Sequence, residues 1–226
     1  MKRKYFLLLI ILFLSFVSSY ACFAAEKINP SDAEKWANSK GEQILRILAD
    51  KNLERKYKEL DTIFYKDIDL DNAAKFVCGK YWKKMTVAQQ QKYVPLFKRY
   101  MSSIYKSYPL DFGSDSIGFK VQKVLPTKTG ADVWCLIKLK KIMNSTDAKN
   151  ESGFNVLFSL TKNNGQIQVK DLKIGESSLL VAMRNRFYKL IYEDNDEELD
   201  WFLEDLETIT KDNEQKNEQN LENSAF

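Results

Sequence analysis

The fold class follows from residues 153–174, which read GFNVLFSLTKNNGQIQVKDLKI. Along residues 153–161 large apolar side chains occupy every second position, a period of two that is typical of a β-strand with one buried face. Residues 166–174 form a second candidate strand. The Asn-Asn-Gly sequence at 163–165 favours a tight turn, because these residues tolerate positive φ angles. The stretch therefore predicts an antiparallel hairpin.

Further elements lie on both sides of this hairpin. Residues 117–125 and 131–142 have the pattern of two more strands. Apolar residues recur at spacings of three and four, the period of an amphipathic helix, through residues 28–107 and again from 178 to 209. The order helices, sheet, helices predicts an α+β fold, in which an antiparallel sheet of about four strands carries helices on one face.

Local signals place some of the helix boundaries. Asp32 can cap the first helix, and Thr86 with Gln89 forms a capping-box pattern ahead of the longest helix. Pro95 lies inside that helix, where it removes the hydrogen bond to the carbonyl of Gln91 and should kink the axis.

The two ends of the chain are expected to lie outside the folded domain. Residues 1–25 have a basic start, an apolar run and small residues, which is the pattern of a cleavable secretory signal peptide. An uncleaved anchor and a lipoprotein signal at Cys22 are the alternatives. Residues 211–226 are too polar to offset the entropy of ordering and are predicted to be a disordered tail. The domain itself is predicted to span 26–210.

Composition excludes several classes of function. The 226 residues contain no histidine, which excludes Ser-His-Asp and Cys-His nucleophiles and most catalytic zinc sites. The formal net charge is +4, and removal of the three basic residues of the signal segment leaves +1. A nearly neutral mature chain gives no indication of nucleic-acid binding. The sequence also lacks a Gly-rich phosphate loop and a CxxC motif, so we expect neither a cofactor nor a metal.

The remaining reactive side chains have plain structural interpretations. Cys78 and Cys135 each lie on an apolar face, which favours buried core thiols, although an exported chain can also pair its cysteines. The acidic clusters at 67–71 and 193–205 are interpreted as helix caps and a solvated helix face. No sequence pattern places two carboxylates together as a candidate catalytic pair.

A longer segment, residues 67–105, reads DIDLDNAAKFVCGKYWKKMTVAQQQKYVPLFKRYMSSIY. Four elements of this segment occur in the order of a known signature. They are IDL at 68–70, FVCGKYW at 76–82, TVAQQ at 86–90 and FKRY at 97–100. They resemble the central pattern of the MlaC family, also called the toluene-tolerance auxiliary family.

A second segment, residues 167–187, reads IQVKDLKIGESSLLVAMRNRF and resembles the downstream part of the same family pattern. Two departures are visible: Ile167 stands where the family has a tryptophan, and Gly175 and Glu176 reverse its Glu-Gly order. The resemblance covers roughly residues 32–206, which is most of the mature chain.

The resemblance implies a periplasmic carrier that encloses the acyl chains of a phospholipid in an apolar cavity between a curved sheet and its helices. It implies no catalysis. The expected partners are the substrate-capture subunit of an inner-membrane ABC transporter complex and an outer-membrane lipoprotein–porin complex. A carrier that shuttles lipid between them maintains outer-membrane lipid asymmetry, and a monomer is expected. Two alternatives stay open: a small cavity-containing enzyme for an apolar substrate, and an envelope interaction module without a cavity.

The facing directions of apolar side chains predict which residues line the cavity. Lys98 and Arg184 are in turn candidates for docking of a partner protein. The predicted lining residues are Phe97, Tyr100, Met101, Ile104, Val133, Ile137, Val156, Phe158, Leu179 and Met183.

Overall fold

The computed structural model describes residues 26–107, 117–139 and 152–224. Within these residues, four α-helices precede an antiparallel sheet and two α-helices follow it, which confirms the predicted α+β class. The predicted signal segment, 1–25, lies outside the described residues. The elements are α1 (Pro30–Ala49), α2 (Leu53–Asp67), α3 (Leu70–Cys78), α4 (Val87–Lys106), β1 (Ile117–Thr127), β2 (Gly130–Leu139), β3 (Ser152–Asn163), β4 (Gln166–Ile174), β5 (Ser177–Ser178), α5 (Leu179–Lys189) and α6 (Leu199–Ser224).

The sheet is a meander in which neighbouring strands pair in chain order from β1 to β5. The predicted hairpin is present, with Asn163 opposite Gln166 and positive φ angles of 50° at Asn164 and 78° at Gly165. Two irregularities in the pairing, one between β1 and β2 and one between β3 and β4, are of the kind that bend and twist a sheet. The fifth strand, only two residues long, is the one addition to the predicted set.

Helix α1 packs across the sheet and forms the first of two cores. Ala33 and Ala37 of α1 are buried against Val133, Cys135 and Leu160 of β2 and β3. Because alanine side chains are short, the first half of α1 can lie close to the strands. This core therefore fixes the position of the helix over the sheet.

The second core is helical and aromatic, and it lies among α3, α4, α5 and α6. The ring of Phe187 is 5.5–6.3 Å from those of Tyr93, Phe97, Tyr100 and Phe202. All five side chains are almost completely buried. Helix α4 corresponds to the longest predicted helix. Its apolar face packs into this aromatic cluster and not against the sheet.

Of the two predicted helix caps, the one at Thr86 is present and the one at Asp32 is not. The Gln89 amide donates to Thr86 Oγ1 and the Thr86 amide donates to Gln89 Oε1, which is a complete capping box, and Pro95 lies inside α4. Helix α1, however, is capped by Asn29 and not by Asp32. The reason is Pro30, whose fixed φ favours the first position of a helix and so starts it earlier.

Cys78 and Cys135 are both free thiols and both buried. Burial raises the pKa of each thiol to about 12. The two cysteines are therefore protonated and unreactive at neutral pH, as expected for core thiols.

The last helix is longer than predicted, which corrects the assignment of a disordered tail at 211–226. Helix α6 runs to Ser224 and stays packed against α4 beyond residue 210. Asn217 is 5% exposed, and its Nδ2 donates to the Ser103 carbonyl oxygen over 2.9 Å. Arg99 pairs with Glu214 at 2.7 Å. Polar contacts hold this part of the helix, so apolar composition alone could not reveal that it is ordered.

Truncation after residue 210 should lower the free energy of unfolding by at least about 1 kcal/mol, because it removes the buried Asn217–Ser103 hydrogen bond. Urea unfolding of the mature chain measures this effect. A chain that ends at residue 221 is the control, since it keeps Asn217 and Glu214 and should retain nearly full stability. An unchanged urea midpoint after the longer truncation would contradict the packing of residues 211–224 against α4.

Candidate functional site

An apolar cavity of about 340 Å³ lies between α1 and the helix-facing side of the sheet. A volume of this size is at the lower end of the range for small-molecule sites. Apart from Lys40, every lining residue in the described part of the chain is apolar. The lining residues are Trp36, Ala37, Lys40, Gly41, Ile44, Leu45 and Leu48 of α1, and Ile117, Phe119, Ile137, Phe154, Phe158 and Val169 of the sheet.

The cavity exists because α1 has more apolar surface than its packing uses. Ile47 is buried, with 2% of its surface exposed. Ile44, Leu45 and Leu48, which lie toward the same end of the helix, are only half-buried and line the cavity. Apolar side chains left partly uncovered over an apolar sheet favour the binding of a hydrocarbon group, since further burial is stabilising.

Gly41 sets how closely β1 approaches the middle of α1. A Cβ atom at this position would lie 2.3 Å from Cδ1 of the Phe119 ring, which is well inside van der Waals contact. Any larger residue would therefore displace the ring. Glycine costs a helix about 1 kcal/mol relative to alanine, and here it lets the Phe119 ring lie directly against the helix as part of the cavity wall.

The one charged residue of the wall is neutralised by a neighbour. Lys40 Nζ lies 2.6 Å from Asp67 Oδ2, and the Asp67 side chain is 4% exposed. The contact is an ion pair without the angles of a hydrogen bond. Because a buried carboxylate without its partner is strongly destabilising, the ammonium of Lys40 is committed to Asp67. The cavity is then faced by the methylene stem of the lysine.

The structure divides the ten predicted lining residues into groups. Ile137 and Phe158 lie on the cavity wall. Val133 and Val156 lie on the same face of the sheet, fully buried beside the cavity. The others are elsewhere: Phe97, Tyr100, Met101, Ile104 and Met183 belong to the helical core, and Leu179 is 43% exposed at the start of α5.

The helical part of the predicted set lies away from this cavity, because periodicity gives the apolar face of a helix but not the element that covers it. Helix α4 packs against α3 and α6, whereas α1 supplies the helical wall of the cavity. A signal for α1 was present in the sequence. Ile44 with Leu45, and Ile47 with Leu48, are adjacent apolar pairs that widen the stripe beyond one packing face.

The two candidate docking residues both lie beside α3. Lys98 Nζ is 3.0 Å from Asp71 Oδ1. The guanidinium carbon of Arg184 lies 3.6 Å from the centroid of the Phe76 ring, and its Nε donates to the Phe76 carbonyl oxygen. These contacts hold both cations in defined positions at the surface, and their role in docking stays a prediction.

The arrangement around the cavity suits binding of a hydrocarbon group better than acid–base chemistry. In the alternative of a cavity-containing enzyme, Tyr100 and Tyr105 are the available catalytic tyrosines, but Tyr100 lies in the helical core. The other, Tyr105, donates to Asp61, and neither lines the cavity. Over the described parts of the chain, no three His, Cys, Asp or Glu side chains are grouped to hold a metal ion.

Replacement of Ile44 by Glu should weaken binding of an apolar fluorophore such as N-phenyl-1-naphthylamine at least about tenfold, because the ligand would desolvate an unpaired carboxylate. Fluorescence titration gives the dissociation constants. The matched control is Val87→Glu, which adds the same charge on α4 at a residue that is 70% exposed and away from the cavity. Equal affinities of the two variants would place the bound dye outside this cavity.

Comparison with known proteins agrees with the resemblance seen in the two sequence segments. The profile of the family described as MlaC protein matches residues 39–208. No curated protein matches the sequence. Among solved structures, the chain is similar to the phospholipid-binding protein from Ralstonia solanacearum, solved in complex with a phospholipid. The TM-score is 0.62 and the identity 15%, over 80% of this chain and 98% of that chain, which shows a shared fold.

Within the described residues, no helix combines the length and the apolar character needed to cross a membrane. The family profile covers most of the chain, including α2, α3, α4 and the whole described sheet. The chain belongs to the MlaC family.

Proposed function

We propose that this chain is a periplasmic phospholipid carrier that holds an acyl chain in the cavity between α1 and the sheet. The observation that carries the proposal is the cavity itself, since its wall is apolar and its one cation, Lys40, is paired with Asp67. The phospholipid bound by the Ralstonia solanacearum protein of the same fold supports this choice of ligand.

The energetics of transfer explain why an enclosed apolar wall is needed. Each methylene group removed from water contributes about 0.8 kcal/mol, so a chain of about 16 carbons represents on the order of 12 kcal/mol. A carrier that leaves this surface in water cannot extract a lipid from a bilayer. A head group at the mouth needs no charged partner, which fits a wall without a free charge.

The wider role follows from membership of the MlaC family. In this proposal the chain is exported by a cleavable signal at 1–25 and moves lipid through the periplasm as a monomer. It exchanges lipid with the substrate-capture subunit of an inner-membrane ABC transporter complex and with an outer-membrane lipoprotein–porin complex, and so maintains outer-membrane lipid asymmetry. Lys98 and Arg184, both anchored beside α3, are the candidate contacts with these partners.

The role is binding and not catalysis. The absence of histidine removes the usual proton-transfer side chain at neutral pH. Among the described residues, the cavity wall also contains no carboxylate, tyrosine or cysteine. A carrier needs only shape and apolar surface, and those are the properties that this cavity supplies.

Native mass spectrometry of the mature protein purified from a cell envelope tests the proposal. We expect a co-purifying mass that matches one phospholipid per chain, and lipid extraction identifies its class. Ile44→Glu should lose the lipid while Val87→Glu keeps it, so that general damage to the fold is controlled. A lipid-free wild-type chain that also fails to take up phospholipid from vesicles would overturn the proposal.

A further inference from the structure

The sheet has a second face, turned away from α1, which the proposed carrier function does not use. Because residues paired across neighbouring strands point to the same side of a sheet, the strand register defines this outer face. Its central row crosses four strands, from Lys123 of β1 through Trp134 and Leu157 to Lys173 of β4. Neighbouring strands lie about 4.8 Å apart, so the two lysines flank the row at a backbone separation of about 14 Å.

The two irregularities in strand pairing place both lysines on the outer face. In β1, Val121 packs on the side of α1, and strict alternation would turn Lys123 to that same side. The irregularity between these two residues sets Lys123 opposite Trp134 instead. In β4, Val169 lines the apolar cavity, and the second irregularity likewise turns Lys173 to the outer face. Bulges of this kind re-aim side chains, and here both of them bring a cation to the same row.

The centre of the outer face is apolar and partly open to solvent. Trp134, Leu136 and Leu157 are half-buried, and neither core of the described chain includes them. Leu125, on the same face, is 39% exposed. Lys123 Nζ lies 5.9 Å from the centroid of the Trp134 ring. An aromatic ring with a lysine beside it is typical of side chains at a membrane–water interface.

The charges around this apolar centre are positive. Lys120, Lys123 and Lys173 make no ion pair with any described residue. The two carboxylates of the face, Asp132 and Asp171, lie together in the adjacent row, and each accepts a hydrogen bond from a serine hydroxyl. The cations flanking Trp134 are therefore available to an anionic surface, which each lysine near it attracts.

We propose that the outer face of the sheet binds the surface of a bilayer that contains anionic phospholipids. Trp134 and Leu157 enter the head-group region, while Lys120, Lys123 and Lys173 contact lipid phosphates. An open strand face with an apolar centre and a cation at each end of its row is complementary to a broad anionic surface, and it offers no cleft for a single side chain. This docking is separate from the proposed carriage of lipid, since the cavity lies on the opposite side of the sheet.

Sedimentation of the mature chain with sucrose-loaded vesicles tests this surface. One set of vesicles contains phosphatidylcholine and phosphatidylglycerol in equal parts, and the other contains phosphatidylcholine alone. We expect the chain to sediment with the anionic vesicles, less so as salt is added, and to stay in solution with the neutral ones. A chain that merely takes a lipid into its cavity also stays in solution, so sedimentation measures docking separately from carriage.

Matched variants locate the docking surface. Lys123→Gln should weaken binding to the anionic vesicles about fivefold, the effect of one lysine near a membrane surface. Lys35→Gln removes the same charge from an exposed position of α1, on the other side of the sheet, and should bind like the wild type. Trp134→Ala should also weaken binding, whereas Trp201→Ala, at a residue of α6 that is 57% exposed, should not.

The surface variant Lys123→Gln keeps the test decisive if Trp134→Ala unfolds, which circular dichroism reports. Equal sedimentation with both kinds of vesicle, or equal weakening by Lys123→Gln and Lys35→Gln, would overturn the proposal. A wild-type chain that stays in solution with both kinds of vesicle would also overturn it and would favour an acidic protein as the occupant of this face. None of these results depends on whether the chain carries a phospholipid.

Discussion

The packing of α1 across the sheet is the constraint on which the rest of this molecule depends. One face of β2 and β3 consists of apolar side chains, and such a face has to be covered. Alanines in the first half of α1 bring the helix close to the strands, with Ala33 completely buried and Ala37 nearly so. In the second half, Ile44, Leu45 and Leu48 stay half-buried over the sheet. A helix fixed at one end and underpacked at the other produces a cavity without any dedicated binding loop.

The polar residues near this cavity are arranged so that they do not disturb it. The ion pair with Asp67 neutralises Lys40, the one charged residue among the described residues of the wall. Gly41 admits the Phe119 ring where a side chain would exclude it. The aromatic cluster around Phe187 separately holds α3, α4, α5 and α6 together. A group can therefore enter or leave the cavity without disrupting the helical core, as the proposed carrier function requires.

Sequence patterns predicted most of the fold because its local signals agree with its packing. The Asn-Asn-Gly turn, the alternation in β3 and the Thr86 capping box each depend on neighbouring residues only. The position of the cavity was harder to predict, because the apolar faces of α1 and α4 have the same period. Only tertiary packing decides which of the two faces lies against the sheet. The end of α6 was missed for a different reason: its order comes from Asn217 and Glu214, polar residues that composition counts as evidence of disorder. The facing direction of Phe158 followed from alternation, whereas the role of Phe119 depended on a glycine in another element.

The most direct test of the central claim is to locate the acyl chain on the protein. The mature chain is loaded with a phospholipid that carries a photoactivatable diazirine near the end of one acyl chain, and the cross-linked peptides are mapped by mass spectrometry. The account predicts adducts within residues 36–48 of α1 and at Phe119 or Phe158 of the sheet. Adducts concentrated in α4 around Phe97–Ile104, or at Met183, would place the lipid in the helical core and contradict it.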